Sequence, residues 1–362
     1  MYSKPINVIG VMSGTSLDGL DLCLVSFDSD NYSKFKILNS ETFNYSSNWI
    51  NKLSNAINLD EKDLNILDHE FGKLISNYIN KFIAEIGSPK VNLVSSHGHT
   101  VFHKPEKGIT KQIGNGEIII KNINSSLICD FRTQDVELGG QGAPLVPIGD
   151  LNLFKEFKYC LNLGGFSNIS IKKNMSIKAF DICPVNTVLN YYSKKLGKPF
   201  DENGKLSEKG SVNINLLKKL NSLDYYKLNG PKSLGIEYVN ANILPIIDSY
   251  SINNHNVLKT FVEHITEQIK NSIRGNIENE KILVTGGGTY NKTIIKKLKS
   301  KLRCEVIIPE KQIINNKEAL IFAYMGLLRF DNKINCLKNV TGASRDHSSG
   351  KIFKNQHLYL TV

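Results

Sequence analysis

The chain begins with two apolar runs separated by a short polar turn, a pattern that predicts a β-hairpin. Residues 6–12 and 20–27 are mostly apolar, and residues 13–19 between them are small or polar apart from Leu17, with glycine at 14 and 19. Glycine lets a backbone approach a ligand closely, and consecutive amides form a concave surface that attracts anions such as phosphate. Asp18 and Asp21 stand beside the turn and offer the oxygen ligands that Mg²⁺ prefers. A tight hairpin without a ligand is the alternative for this segment alone.

Farther along, apolar residues at helical spacing alternate with short apolar runs typical of strands. The spacing predicts helices at 62–86, 187–196, 257–273, 291–301 and 317–329. Strands are expected at 91–96, 117–120, 127–130, 282–285 and 304–308, and the segment 158–171 reads as strand, turn, strand. Helices and strands therefore mix in both halves, which predicts an α/β protein with two lobes.

Two further glycine turns follow strand-like runs. Gly164 and Gly165 repeat the pattern of the first turn about halfway along the chain. Gly286, Gly287 and Gly288 follow the strand at 282–285 and precede a helix, a place where a purine or phosphate can lie against backbone. The chain has no Walker A sequence and no G-x-G-x-x-G after a strand, which disfavours P-loop and Rossmann folds.

The length of 362 residues exceeds what one hydrophobic core usually supports and predicts two domains. We expect an N-terminal lobe of residues 1–135, joined by part of 331–362, and a second lobe of residues 136–330. The stretch 130–147 is rich in glycine and proline and is expected to be a loop or a crossing between lobes.

Composition narrows the setting. Hydrophobic residues make up 41% and charged residues 22%, and no apolar run approaches the roughly 18 residues of a membrane span. The N-terminus lacks the features of a signal peptide, so we expect a cytoplasmic protein without a membrane partner. The six cysteines have no paired spacing and fit buried free thiols. The net charge of +11 comes from scattered lysines, so a nucleic-acid partner is not expected.

Together these motifs resemble those of the anhydro-N-acetylmuramic acid kinases, members of the sugar kinase/actin/Hsp70 superfamily. The resemblance covers nearly the whole chain. Its most specific parts are Met-Ser-Gly-Thr-Ser from Met12 and Gly-Gly-Gln-Gly-Ala-Pro-Leu-Val-Pro from Gly139. It implies an α/β, two-lobed actin-like or hexokinase-like ATPase fold, with the active site in the cleft between the lobes.

The resemblance also implies a reaction. Water attacks C1 of 1,6-anhydro-N-acetylmuramic acid while O6 takes the γ-phosphate of ATP, with Mg²⁺ as cofactor. The product is N-acetylmuramic acid 6-phosphate, formed during cell-wall recycling, and a homodimer is the family expectation. Two alternatives stay open: an amino-sugar kinase of the same fold without ring opening, and a catalytically silent protein that senses ATP or sugar.

Residue roles follow from the matching motifs. Asp181 is the expected general base, and Glu318 helps to position the attacking water. The residues expected to bind ATP are Gly14, Thr15, Ser16, Leu17, Asp18, Gly19, Leu20, Asp21, Gly164, Gly165, Asn168, Gly286, Gly287 and Gly288. The residues expected to bind the sugar are His97, Gly98, Asn115 and Arg132, and those expected to hold Mg²⁺ are Asp18 and Asp21.

Asp181 lies in a block that departs from the family pattern. The family has Asp-Thr-Gly-Pro-Gly-Asn, whereas residues 181–186 read Asp-Ile-Cys-Pro-Val-Asn. The loss of both glycines leaves the local backbone path open. In the structural alternative, Asp181 caps a helix that begins near Val185. A second departure is Ile236, which stands where the family usually has an arginine.

The other assignments have structural alternatives too. Glu318 could be a solvent-facing acid at a helix N-terminus. Arg132 suits the lactyl carboxylate of the sugar because guanidinium and carboxylate pair in a planar fork, but it could pair with Asp130 or Asp135 instead. His97, His99 and His103 have a spacing that resembles a metal site, yet the family has glutamine at the position of His99, and we do not expect zinc.

Overall fold

The computed structural model describes residues 4–14, 17–174, 176–228, 232–273 and 277–355. The strands, in chain order, are β1 (Ile6–Ser13), β2 (Gly19–Asp28), β3 (Asn31–Asn44), β4 (Leu93–Ser96), β5 (His99–Lys104), β6 (Ile109–Ile113), β7 (Ser126–Cys129), β8 (Tyr159–Leu163), β9 (Phe166–Lys173), β10 (Ser176–Pro184), β11 (Lys281–Thr285), β12 (Glu305–Ile307) and β13 (Lys351–Phe353).

The α-helices are α1 (Ser47–Asn55), α2 (Glu61–Glu85), α3 (Gly116–Ile120), α4 (Thr133–Glu137), α5 (Pro147–Leu153), α6 (Asn186–Lys194), α7 (Lys205–Glu208), α8 (Ile214–Asn221), α9 (Ile236–Tyr238), α10 (Leu244–Asp248), α11 (Asn254–Ser272), α12 (Lys292–Lys301), α13 (Lys311–Phe330) and α14 (Lys338–Thr341). Short 3₁₀ turns lie at Ala56–Asn58, Pro105–Lys107, Glu202–Gly204, Asp224–Lys227 and Gly287–Tyr290, and a π turn at Val239–Ile243. Within the described ranges, no helix combines the length and apolarity needed to cross a membrane.

The first compact unit comprises Met1–Phe154 and Asn316–Val362. Its six-stranded sheet has the order β13-β7-β4-β1-β2-β3. The first three strands are antiparallel neighbours, whereas β4 pairs parallel with β1 and β7 pairs parallel with β4. The carboxyl ends of β1, β4 and β7 therefore meet at one edge of the sheet, where open α/β sheets bind ligands.

The second unit, Lys155–Asn315, repeats this strand order. Its sheet runs β10-β9-β8-β11-β12. Again the first three strands are antiparallel neighbours, the fourth pairs parallel with the first, and the fifth pairs parallel with the fourth. The similarity between residues 6–27 and 158–171 is thus the visible part of a repeated sheet. The predicted α/β class with two units is confirmed.

Each unit has its own hydrophobic core on one face of its sheet. In the first unit α2 buries a stripe that includes Phe71, Ile75 and Ile79 against apolar strand residues. In the second, α11 supplies Phe261 and Ile265 in the same way. These stripes recur every three or four residues, which is why the helical periodicity could be recognised from the sequence.

The unit boundaries fall at 154/155 and 315/316, whereas the sequence led us to expect 135/136 and 330/331. Residues 136–154 belong to the first unit because α5 packs there. Its Asp150 forms a buried ion pair with Lys317 at 2.7 Å, and Phe154 contacts Phe35 with ring centroids 6.2 Å apart. The second boundary lies inside α13, which approaches β1 at Gly10 through the backbone of Ala319 and Ala323.

The strand expected at 117–120 was wrong, since these residues form helix α3. Asn115 caps this helix, its side-chain oxygen accepting the N–H of Ile118 at 3.1 Å. A short apolar run bounded by glycine does not by itself distinguish a strand from a buried helical turn. The capping residue, Asn115, was the sequence feature that could have indicated a helix here.

The backbone of α13 lies directly on β1 at Gly10. A Cβ atom at position 10 would lie 1.8 Å from the carbonyl oxygen of Ala319 and 2.9 Å from the amide nitrogen of Ala323. Because both obstacles are backbone atoms, no side-chain rearrangement can make room. Only glycine permits this approach between strand and helix.

We predict that Gly10→Ala lowers the free energy of unfolding of the first unit by about 3 kcal/mol, because overpacking forces the helix away from the sheet. Urea unfolding followed by Trp49 fluorescence measures this, since Trp49 is the only tryptophan and lies in that unit. The control is Gly87→Asn, at an open left-handed position of the same unit that asparagine tolerates. A Gly10→Ala protein within 1 kcal/mol of the parent would contradict the prediction.

Candidate active site

In the first unit, polar side chains gather where the parallel strands end. β1 ends at Ser13, β4 ends just before His97 and Gly98, and β7 ends shortly before Arg132. The backbone N–H of His97 donates to the carbonyl of Val11 at 3.0 Å, which extends the parallel pairing of β1 with β4 into the loop. The sheet edge therefore brings residues from three distant segments into one neighbourhood.

The first glycine turn connects β1 to β2. Gly14 and residues 17–21 are described, whereas Thr15 and Ser16 lie outside the described residues. The N–H of Leu17 donates to the carbonyl of Gly14 at 3.4 Å, and Leu17 has a positive φ of 58°. Gly19 and Leu20 already belong to β2, where both are buried. Only part of the expected ATP-binding set is thus in the turn itself.

Asp21 lies on β2 opposite Met12, with Asp18 exposed nearby. Burial raises the pKa of Asp21 above its ordinary value, a hydrogen bond from Thr42 opposes this, and the charge of Asp18 adds to the rise. The Thr42 hydroxyl donates to Asp21 Oδ1 at 2.6 Å. Two neighbouring carboxylates, one of them desolvated, form a donor set that a hard divalent cation would stabilise.

His97 and Arg132 form a hydrogen-bonded pair whose protonation follows from its geometry. Arg132 Nε donates to His97 Nε2 at 3.1 Å, so this ring nitrogen is the acceptor. His97 Nδ1 must then carry the proton that it shares with the carbonyl of Gly98 at 3.0 Å. Burial and the Arg132 charge hold the pKa of His97 well below its ordinary value. A neutral imidazole therefore orients the guanidinium and leaves its Nη groups as donors for an acid.

The structural alternative for Arg132 is not what the structure shows. Asp130 pairs with Lys351 at 2.9 Å. Asp135 accepts hydrogen bonds from the Thr341 hydroxyl and from a backbone amide, each at 2.7 Å. Across the described residues, neither aspartate comes within ion-pair distance of Arg132. The Thr341 contact also ties the C-terminal Thr-Gly-Ala segment to α4.

Glu318 lies about two turns inside α13 rather than at its N-terminus, so the helix-dipole alternative does not apply. Its side chain is exposed, yet surrounding protein raises its pKa by desolvation. Asp21 adds to the rise, whereas Lys317 and Arg132 oppose it. Solvent moderates these effects, but their sources place Glu318 in the same neighbourhood as Asp21 and Arg132.

A buried chain of hydrogen bonds involving His99 was missed by sequence reasoning. The Tyr45 hydroxyl donates to Ser13 Oγ at 2.8 Å, and Ser13 Oγ lies 3.0 Å from His99 Nδ1. Because Ser13 accepts from Tyr45, its own proton is directed to His99 Nδ1. Burial lowers the pKa of His99 to about 4, so the ring is neutral near pH 7. The chain fixes the last residue of β1, from which the first glycine turn departs.

The remaining expected sugar-binding residues have clear local roles. Asn115 caps α3 and also donates from Nδ2 to Asp68 at 3.4 Å, so both ends of its side chain are engaged. Gly98 is buried beside the ring of His97 and connects β4 to β5. A role in sugar binding stays a prediction for both.

In the second unit, the turn at Gly164 and Gly165 connects β8 to β9. The carbonyl of Gly165 accepts the backbone N–H groups of Val185 at 2.8 Å and Thr187 at 3.2 Å. The carbonyl of Gly164 accepts the N–H of Asn186 at 3.2 Å. These bonds hold the start of α6 against the turn, while the backbone of Gly165 stays exposed to solvent.

The third glycine turn packs against the second. Gly286 has φ +83°, and a Cβ atom there would lie 2.5 Å from Asn162 Oδ1 and 2.8 Å from the carbonyl oxygen of Leu163. β8 and β11 are parallel neighbours, so both turns leave the same edge of the sheet. Gly287 is exposed, with its nearest neighbour, Asn186 Nδ2, 3.7 Å from an added Cβ. The unit therefore presents two adjacent stretches of accessible backbone, as phosphate or purine binding requires.

Asp181 lies in β10, and the alternative that it caps α6 is wrong. Its Oδ2 accepts the backbone N–H of Leu234 at 2.9 Å, and the residue before α6, Val185, makes no side-chain cap. Burial raises the pKa of Asp181, and the Leu234 hydrogen bond opposes the rise. A partly desolvated carboxylate with one oxygen fixed is suited to proton abstraction.

The block at residues 181–186, which differs from the family pattern, contains a β-bulge. Asp181 lies opposite Asn168 and Cys183 opposite Ser167, so Ile182 is the extra residue between them. Asn168 is exposed directly across from Asp181. Among the described residues, none in the block from Asp181 to Asn186 has a positive φ, so its backbone path does not require the two glycines. Bulges redirect side chains next to functional sites, and this one follows the expected base.

Known proteins are similar to this chain over nearly its whole length. A family model described as anhydro-N-acetylmuramic acid kinase matches residues 6–355. A protein of that name from Vibrio cholerae serotype O1 is 33% identical, covering 95% of this chain and 97% of the relative. One from Haemophilus influenzae is also 33% identical, covering 97% and 98%. Among solved structures, (R)-2-hydroxyglutaryl-CoA dehydratase component A from Acidaminococcus fermentans has a TM-score of 0.44 and 11% identity, covering 89% and 97%.

The neutral His99 predicts an acid-dependent loss of stability. Its pKa is about 4 in the folded protein and about 6.5 when unfolded, so below pH 6.5 the unfolded state binds the proton more tightly. Stability should therefore fall as pH drops from 6.5 towards 4. We predict that His99→Gln removes about 2 kcal/mol of the stability difference between pH 7 and pH 4.5.

Urea unfolding of both proteins at the two pH values, followed by Trp49 fluorescence, measures this difference. His103→Gln serves as the control because His103 is exposed. Equal acid sensitivity of parent and His99→Gln would show that His99 is not held neutral in the folded state.

Proposed function

The chain belongs to the anhydro-N-acetylmuramic acid kinase family, and on this premise we propose that it uses ATP to open and phosphorylate 1,6-anhydro-N-acetylmuramic acid. It is a phosphotransferase, and the family assignment together with the repeated sheet confirms the predicted actin-like and hexokinase-like fold class. The observation that carries the proposal is the match over residues 6–355, which includes both glycine-turn units and Asp181.

The proposed reaction needs a base for the attacking water. Asp181 takes a proton from water, and the resulting hydroxide forms a bond to C1 of the sugar while the C1–O6 bond breaks. The electron pair left on O6 forms a bond to the γ-phosphorus, and the bond to ADP breaks. Proton abstraction by a positioned carboxylate typically contributes 10²–10⁴-fold to the rate. Glu318 is proposed to orient the water.

Arg132 is proposed to bind the lactyl carboxylate of the sugar. Its Nε is engaged by His97, so the Nη groups are the ones to pair with an acid. Burial lowers the pKa of Arg132 to about 10, which still leaves it cationic at pH 7. His97 and Gly98 would complete this side of the sugar site, with Asn115 supporting the loop from within.

The glycine turns are proposed to bind ATP. The first turn, from Gly14 to Asp18, and the turn at Gly164 and Gly165, with Asn168, would contact phosphates, and the turn from Gly286 to Gly288 the adenosine. Asp18 and Asp21 fit Mg²⁺ because they place a desolvated carboxylate beside a second acid. When bound, Mg²⁺ would neutralise charge on the transferring phosphate.

The wider setting is also part of the proposal. A role in peptidoglycan recycling follows from the sugar, and we extend the proposal to a cytoplasmic location and a homodimer as family expectations. An amino-sugar kinase without ring opening and a silent sensor remain as outcomes of the test below.

The test is ADP release with Mg-ATP and 1,6-anhydro-N-acetylmuramic acid in ¹⁸O-water, with mass analysis of the product. We expect sugar-dependent ADP and a 6-phosphate that carries one heavy oxygen at C1. Phosphorylation without the heavy oxygen would indicate a kinase without ring opening. ATP binding without sugar-dependent ADP, for any amino sugar, would indicate a sensor.

We predict that Asp181→Asn lowers kcat by 10²–10⁴-fold and leaves ATP affinity within about twofold, because the amide cannot take the proton. Steady-state kinetics and ATP titration measure the two quantities. Glu305→Gln, which changes an exposed acid of the same unit, is the control. An Asp181→Asn enzyme with nearly full kcat would remove Asp181 from the role of base.

A further inference from the structure

Asp181 is held by a neighbouring segment at three of its four polar groups. β10 is an edge strand, so its outer side is free to pair with residues outside the sheet. The N–H of Asp181 donates to the carbonyl of Lys232 at 2.9 Å, and its carbonyl accepts the Tyr225 hydroxyl at 2.7 Å. Its Oδ2 accepts the N–H of Leu234 at 2.9 Å. The remaining group is Oδ1.

Two of the residues that make these contacts, Tyr225 and Lys232, also contact each other. Lys232 Nζ donates to the carbonyl of Tyr225 at 3.0 Å and lies 4.4 Å from the centre of the Tyr225 ring. The same ring is buried and packs against Tyr226 and Tyr238, with centroids 5.6 Å and 5.5 Å away. Tyr225, Lys232 and Leu234, which all bind Asp181, are together called the clamp.

Resting on the proposed function, we propose that Tyr225 and Leu234 are positioning residues for the general base. The Leu234 N–H fixes Oδ2 of Asp181, and this leaves Oδ1 as the oxygen that takes the proton from water. The Tyr225 hydroxyl holds the backbone of Asp181 immediately before the bulge. The clamp acts through Asp181 and does not itself meet the sugar or the water.

The clamp also explains how Asp181 can be held in position although residues 181–186 differ from the family pattern. Ile236, which stands where the family has an arginine, is exposed and makes no part of the clamp. The group that binds the carboxylate is the backbone N–H of Leu234, which every residue except proline possesses. The position of the base therefore does not depend on the side chains that differ from the family pattern.

The hydrogen bond at Oδ2 favours the charged carboxylate. It opposes the rise in pKa that burial causes, so the base stays ionised at lower pH than burial alone would allow. Within the described part of the chain, the ionisable side chains beside Asp181 are those of Tyr225, Lys232 and Cys183. Burial raises the pKa of Cys183 to about 12 and that of Tyr225 farther, so both stay neutral at pH 5–8.

The test compares Leu234→Pro, which removes the amide N–H, with Leu234→Ala, which keeps it. For Leu234→Pro we expect the acid limb of the pH profile of kcat/KM to move up by about one pH unit, because the charged base loses a donor. Leu234→Ala should keep the parent limb, since only the half-buried side chain changes. An unshifted limb in a folded Leu234→Pro enzyme would overturn the proposal.

Tyr225→Phe is the second variant, for the case in which proline prevents folding. It keeps the ring packing and removes the hydroxyl that binds the Asp181 carbonyl. We expect kcat to fall by about tenfold with KM for ATP unchanged, the cost of one lost hydrogen bond at a positioned group. An unchanged kcat would overturn the role of Tyr225.

A readout without turnover separates this proposal from the function it rests on. The ¹³C chemical shift of the Asp181 carboxyl, titrated by NMR, should report a higher pKa in Leu234→Pro than in the parent or Leu234→Ala. Equal pKa values in all three would overturn the clamp even in an active enzyme. A parent protein without sugar-dependent ADP would overturn the proposed function, while the titration would still decide whether Leu234 holds the carboxylate.

Discussion

The contact between the backbones of β1 and α13 at Gly10 is the constraint on which the site of the first unit depends. It sets the distance between helix and sheet at a value that excludes any side chain. Glu318 lies immediately before Ala319, the residue in contact, so the same contact determines where this acid stands relative to Asp21 and Arg132. The first glycine turn, which begins at Gly14, also follows directly from β1, the strand that contacts this helix. Close packing and active-site geometry are therefore set by one interaction.

Much of the fold was accessible from the sequence because its signals are local. The helical stripes of α2 and α11, the apolar strands and the first hairpin all follow periodicities that short windows reveal. The glycine turn that recurs halfway along the chain indicated a second domain, whereas the repeated strand order became visible only in the structure. The boundaries at 154/155 and 315/316 were not accessible, since they depend on long-range packing of α5 and α13 on the first unit. The strand predicted at 117–120 shows the limit for short apolar runs, where a capping side chain decides the outcome.

The candidate site divides in the same way. Asp181, Arg132 and the glycine turns carry recognisable sequence patterns, whereas the partners that set their chemistry do not. The contact of Arg132 with His97, the chain from Tyr45 through Ser13 to His99, and the Leu234 amide all join residues distant in sequence. In each of these contacts, the position of one hydrogen atom is determined by the group that accepts it. Such arrangements depend on tertiary structure, so a sequence motif identifies the functional residue but not its protonation state.

The Leu234 amide has a consequence for how this site can change over generations. Because a main-chain group holds the carboxylate, substitutions at that position can accumulate without touching the chemistry, as long as proline is avoided. Libraries that randomise position 234 should consequently retain most of their members, with proline as the recurrent absence.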